Sequence, residues 1–350
     1  MYFVAIMELP NQNGIPVNLL AACFNKTSAT YKYYWLISII QEVENGNLTI
    51  FKRDLFARML SNAWFTVNYF HVSFGKQDSI QTAIRSLKLI ENISIEENQK
   101  IIYQKLSTSR NISTQNQLRH FNNNVPHWFL SPWFPGKNKT EIYNASKVFS
   151  QKCLYALHSE TIVINPEWRN YLTLNARMLK DFCYWNLSLY LQTKNPNVPD
   201  IPNKLIKPAV RNSLTRQRNK FWNLVVANQG SIKCIFTGEK LEVGGFDLDH
   251  FIPYNFVSHD LNWNLIPIYP PFNSIKSDKL PSMDKYFQKF FELQNKAVKI
   301  IKAKMPNNKL LEDYLTIFPN LEKSFTKDKY KESIQPLITI ASNNGFEFMK

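Results

Sequence analysis

Asp249 and His250 stand side by side, Asn264 follows fourteen residues after the histidine, and Asn273 nine after that. Hydrolysis of a phosphodiester needs a base to take a proton from water. It also needs a cation at the scissile phosphate and oxygen ligands to hold that cation. A histidine, a carboxylate and an amide are residue types that supply those parts. If Phe246 to His250 is a strand, Asp249 and His250 point to opposite faces. Both can still serve one site at the strand end, where the chain bends into Phe251-Ile252-Pro253. Asn273 opens a short helix, Asn-Ser-Ile-Lys-Ser-Asp-Lys, and its amide oxygen offers a second ligand. Asp247 stays open between a carboxylate behind the site and a solvated strand residue. His259 and the other histidines read as structural or exposed.

The run from Lys233 to Ser282 contains Phe-Asp-Leu-Asp-His, Trp-Asn-Leu and Asn-Ser-Ile-Lys-Ser-Asp-Lys-Leu-Pro. It resembles the HNH nucleases of the His-Me finger group, and most of all the HNH domain of the RNA-guided CRISPR nucleases, whose last letter is likewise Asn. The resemblance covers about fifty of the 350 residues. It implies a ββα-metal module built as strand, loop, second strand and helix. It further implies His250 as general base, Asp249 and Asn273 as ligands of Mg²⁺ or Mn²⁺, and Asn264 as the residue pinning the loop behind His250. The catalytic pair is then His250 and Asn264. Lys276, one helical turn after Asn273, is expected at a phosphate oxygen.

Many HNH proteins brace this fold with paired cysteines. Here Cys234 keeps the first position, Thr237 takes the second, and Tyr269 and Phe272 occupy the later pair. The four cysteines are scattered and no Cys-x-x-Cys occurs, so neither a disulfide framework nor a zinc knuckle is encoded. No zinc and no organic cofactor are expected.

Lys and Arg number 42 against 27 acidic residues, a net charge of +15. That balance suggests a polyanionic partner, and the resemblance makes it DNA. The charge is concentrated. From Ile201 to Gly238 there are Lys204, Lys207, Arg211, Arg216, Arg218, Lys220 and Lys233, with no acidic residue. Beside a phosphodiesterase site this run is read as a phosphate-backbone surface, carried by Arg211, Arg216, Arg218 and Lys220. Gly75-Lys76 lacks the spacing of a phosphate loop. No apolar run reaches spanning length, and the first residues lack the basic start of a signal peptide. A cytoplasmic protein without a membrane partner is expected.

The elements that position these residues read as mainly α. Helices are predicted from Ser28 or Thr30 to Val43, Arg53 to Trp64, Ile80 to Ile90, and Ser94 to Leu106 with a Ser-x-x-Glu capping box. Val125 to Pro135, dense in aromatics and proline, reads as a buried elbow. Thr161 to Ile164 reads as a strand, and Asn165-Pro166-Glu167 as the cap of one long helix to Gln192. Three prolines between Asn195 and Pro202 mark a boundary. Residues 1–198 are thus expected as a helical domain that reads a target or docks a protein partner. Residues 199–350 are expected as the nuclease domain, core 233–282, with a basic lead-in helix from Arg211 to Ala227 and C-terminal helices around the small module. The expected function is a divalent-metal-dependent DNA endonuclease, free-standing and bacterial, in phage defence or restriction. The alternatives are a catalytically silent nucleic-acid-binding sensor or adaptor, and an HNH nuclease acting on RNA.

Overall fold

A helix apolar round most of its circumference is stable only when other elements enclose it. Tyr31–Glu44 (α1) is such a helix, and Tyr34, Trp35, Leu36, Ile37, Ile39 and Ile40 are all fully buried. The computed structural model describes residues 8–206 and 212–350. They form two compact units, one reaching Pro196 and including Ile201–Ile206, the other comprising Asn197–Asp200 and 212–350. The architecture is mainly α, with only short strands.

In the first unit α1 is flanked by Lys52–Asn68 (α2), which the strand Thr49–Phe51 (β1) precedes. Ser79–Ile90 (α3) is capped by Asp78, whose Oδ1 accepts from Ile80 N at 2.9 Å. The other oxygen accepts from the backbone and hydroxyl of Thr30 at 2.6 and 2.7 Å, so one carboxylate fixes the starts of α1 and α3 together. Tyr155–Leu157 (β2) and Thr161–Ile164 (β3) complete an antiparallel sheet in the order β1-β3-β2. Only β3 was expected. Three-residue strands are too short for alternation to register.

Three further expectations change. The Ser94 capping box does not form, and the helix begins at Gln99 with Asn98 as its cap. The long helix is two, Pro166–Leu174 (α4) and Ala176–Lys194 (α5), because Asn175 leaves helical geometry. The aromatic elbow opens with the short helix Val125–Phe129; Phe129, Trp133 and Phe134 are buried while Trp128 is 46% exposed. Both α4 and α5 pack on α1, and Ile201–Ile206 packs on α5 and on α2, where the Thr66 hydroxyl donates to Lys204 O at 3.0 Å.

In the second unit Thr215–Gln217 runs through a π-helical turn, Arg218–Trp222, into Asn223–Gln229 (α6). A two-stranded ribbon follows, Ile232–Lys233 (β4) with Lys240–Leu241 (β5). Then come Asp247–His250 (β6), Leu265–Ile268 (β7) and Pro270–Lys276 (α7). Met283–Lys304 (α8), a 3₁₀ segment Lys309–Thr316 and Lys327–Asn343 (α9) enclose them. The core is aromatic: Phe251 stacks on Phe290 at 4.0 Å, and Tyr330 packs beside Phe290. No helix among the described residues is long and apolar enough to cross a membrane.

Candidate active site

β6 and β7 pair antiparallel, with Asp247 opposite Ile268 and His250 opposite Leu265. Alternation along β6 sends Asp247 and Asp249 to one face and Leu248 and His250 to the other. The chain from Phe251 to Asn264 must therefore leave the strand end and return beside it. Phe251 N donates to Asn264 O at 2.7 Å, closing that loop.

Asn264 holds the loop from inside. It has no exposed surface, its Oδ1 accepts from Ile252 N, and its Nδ2 donates to Ile252 O, both at 2.8 Å. An amide that satisfies both backbone groups of one buried residue fixes the path of the chain directly after His250. The loop is held from outside as well. Asp313 Oδ2 accepts from Asn262 N and Nδ2 at 3.0 Å, Gln294 Nε2 donates to Leu265 O at 2.7 Å, and the Tyr330 hydroxyl donates to Trp263 O. These braces come from the 3₁₀ segment, α8 and α9.

His250 is 3% exposed and packs edge-on against Tyr254. Two acceptors face its Nε2, the His259 carbonyl at 3.2 Å and Asp260 Oδ1 at 3.1 Å. Acceptors there require a hydrogen on Nε2, which leaves the lone pair of the neutral ring on Nδ1. Burial pushes the Asp260 carboxyl up. The hydrogen bond and charge of His250, with Asn212 and His259 adding to them, outweigh that and hold it below its ordinary value. Sequence reasoning missed Asp260: it lies in an irregular loop, ten residues from His250, where no periodicity assigns it a direction.

On the other face α7 lies against β6. Residues three apart on a helix share a face, and Asn273 and Lys276 meet Asp247 and Asp249 in turn. Asn273 Nδ2 donates to Asp247 Oδ2 at 3.3 Å, and Arg218 pairs with the other oxygen of Asp247 at 3.1 Å. Asp247 is thus a bridge between α7 and the π-helical turn, not a lone solvated residue. Lys276 corrects an expectation. It is 1% exposed, its ammonium donates to His250 O at 2.8 Å and lies 2.6 Å from Asp249 Oδ2. In this arrangement it cannot reach a phosphate, because its charge is spent inside the fold. The approach to Asp249 Oδ2 is off the hydrogen-bonding direction, so that oxygen is charge-paired yet has no directed hydrogen bond.

The donor set suits a hard divalent cation. The Asp249 carboxylate and the Asn273 amide on the adjoining helix are oxygen donors of the kind Mg²⁺ and Mn²⁺ take, and a cation on Asp249 Oδ2 would have to displace the Lys276 ammonium that now lies 2.6 Å from it. Among the described residues no three His, Cys, Asp or Glu side chains are placed to hold a metal ion by themselves. Where paired cysteines brace other HNH proteins, Phe236 stacks on Phe272 at 5.7 Å and meets Tyr286 at 5.0 Å. Cys234 is free and buried.

Of the basic surface residues, Arg216 and Lys220 are exposed. Arg218 is half-buried on Asp247 and over the Phe246 ring at 5.6 Å. Arg211 lies outside the described residues.

Residues 234–282 match the sequence profile of the family described as HNH endonuclease. The match spans β6, the braced loop, β7 and α7, and marks an HNH nuclease domain set among C-terminal helices. No curated protein and no solved structure matches the chain.

Proposed function

We propose that the second unit is a divalent-metal-dependent endonuclease that hydrolyses DNA, with His250 as the general base. The observation that carries this reading is the setting of His250 within the HNH match: two acceptors on Nε2 and a strand end held by Asn264. Nδ1 takes a proton from water, the water oxygen attacks phosphorus, and the bond to the departing 3′ oxygen breaks. That oxygen gains a proton from solvent. Asp260 keeps the ring in one tautomer and stabilises the imidazolium that proton transfer creates. Asp249 and Asn273 would hold the metal, with Asp247 and Arg218 orienting the Asn273 amide. When bound, the metal supplies charge for the phosphorane and the leaving oxygen. Arg216 and Lys220, with Arg211 from the same basic stretch of sequence, hold the phosphate backbone without specifying its sequence, and DNA as the partner rests on the HNH resemblance.

The helical first unit recognises a target or docks a protein partner. A role in bacterial phage defence or restriction, in the cytoplasm, rests on fold-level analogy with free-standing HNH proteins that carry such an extension. One nuclease site per chain breaks one strand per encounter. Supercoiled plasmid incubated with the monomeric protein and Mg²⁺ should therefore yield nicked circles before linear DNA, and a chelator should stop both. Linear product with no nicked intermediate would contradict the single-site reading. Preferential cleavage of an RNA competitor would replace DNA as the substrate.

A further inference from the structure

The first unit has a cavity of about 240 Å³ at the N-terminal end of α2, within its own fold. Lys52, Arg53 and Arg119 line it, with Phe56 and Leu118 as apolar wall and Asn122 among its polar groups. None of the three cations makes an ion pair with a carboxylate among the described residues. Glu160 also borders the cavity, so the lining carries three positive charges against one negative.

Buried charge of one sign is costly unless something compensates it. Lys52 is 3% exposed, and its ammonium has only neutral oxygen partners, Tyr143 Oη at 2.8 Å and Ser159 O at 3.0 Å. An ammonium has three donors, and two are used. Burial lowers its pKa to about 8, against the opposing pull of Glu160. Arg53 donates one guanidinium nitrogen to Ser109 O, while its Nε is buried without a partner. Asn122 Oδ1 is likewise buried and unpartnered. Around this half-open cavity three cations are opposed by one carboxylate, and the Lys52 ammonium keeps a donor beyond its two neutral partners.

We propose that this cavity binds a small phosphate monoester. A phosphate dianion would take the open donors of Lys52 and Arg53 and a bidentate contact from Arg119. The organic part would extend toward the open side of the cavity, past the exposed Arg119. The site lies outside the residues assigned to cleavage, so it would make the first unit a ligand-sensing module, independent of whether the second unit cuts DNA. A nucleic-acid backbone is the less fitting source of phosphate, because the cations line a confined cavity and not an extended stripe.

The test is calorimetric titration of the full chain, without divalent metal, using inorganic phosphate, adenosine 5′-monophosphate and adenosine as probes. The monophosphate should bind and uncharged adenosine should not. Arg119 is exposed, so Arg119→Ala should keep the fold and weaken binding about tenfold or more, as loss of a charge-assisted bond to phosphate does. Arg53→Met, with the fold checked by circular dichroism, should also weaken it. No binding of either phosphate probe would overturn the proposal, as would equal binding by Arg119→Ala. Displacement of the monophosphate by a short unphosphorylated oligonucleotide would overturn it in favour of a strand contact.

Discussion

Lys276 shows how one residue can be found by its spacing and still be misread. Its place one turn after Asn273 puts both on one helix face, but the sequence does not say what that face meets. It meets the Asp247/Asp249 face of β6, and the ammonium balances a carboxylate that is only 5% exposed. Removing one partner of a buried pair costs about 3–5 kcal/mol. Lys276→Met should therefore destabilise the metal-free protein by that order. A divalent cation on Asp249 should offset part of the loss, so added Mg²⁺ should raise the melting temperature of Lys276→Met more than that of the unaltered protein. Equal responses to Mg²⁺ would take Asp249 out of the metal site. Asn264 behaves differently because its role is backbone satisfaction. Asn264→Ala leaves the N–H and C=O of Ile252 buried and unpaired, a loss of about 1–3 kcal/mol for each group. Its melting temperature should fall together with cleavage; a stable but inactive variant would move Asn264 from scaffold to chemistry.

Among the elements, long apolar patterns were legible and short or irregular ones were not. α1 is readable because burial on most of its circumference demands a nearly unbroken apolar run. β1 and β2 are three residues each, and the helix Tyr254–Val257 is four, so no period develops in any of them. Asp260 follows that helix after a left-handed Ser258, a position that only the folded loop defines. The basic lead-in is a mixed case. The helix was expected, but the π-helical turn Arg218–Trp222 was not, and it brings Arg218 to Asp247. Insertions of this kind often accompany functional sites. The four basic residues proposed for the backbone surface therefore differ in what they can do. Exposed Arg216 and Lys220 are free to meet phosphates, whereas Arg218 would first have to leave its carboxylate. Replacing Arg216 and Lys220 by Ala should lower the slope of log affinity against log salt by about one unit for each phosphate left without its cation. An unchanged slope would leave them as solvated surface.

Across the whole chain, chemistry was legible in one compact stretch and almost nowhere else. The 234–282 match marks the nuclease domain, and the large aromatic core of the first unit carries no comparable pattern. Packing residues specify shape, and the cavity at Lys52, Arg53 and Arg119 assembles from positions too far apart in sequence for any motif to record. The net charge of +15 suggests a polyanion but does not say where on the fold the charge lies. The central chemical step is the transfer of a proton from water to His250. The most direct measurement is single-turnover cleavage of plasmid DNA by His250→Ala, with DNA binding and melting temperature recorded on the same preparation. His250 is buried, so a modest fall in melting temperature is expected. Cleavage should drop by at least the roughly 10²–10⁴-fold that general-base catalysis supplies, with DNA affinity retained. A folded, DNA-binding His250→Ala protein that cuts at the unaltered rate would contradict the assignment of this site.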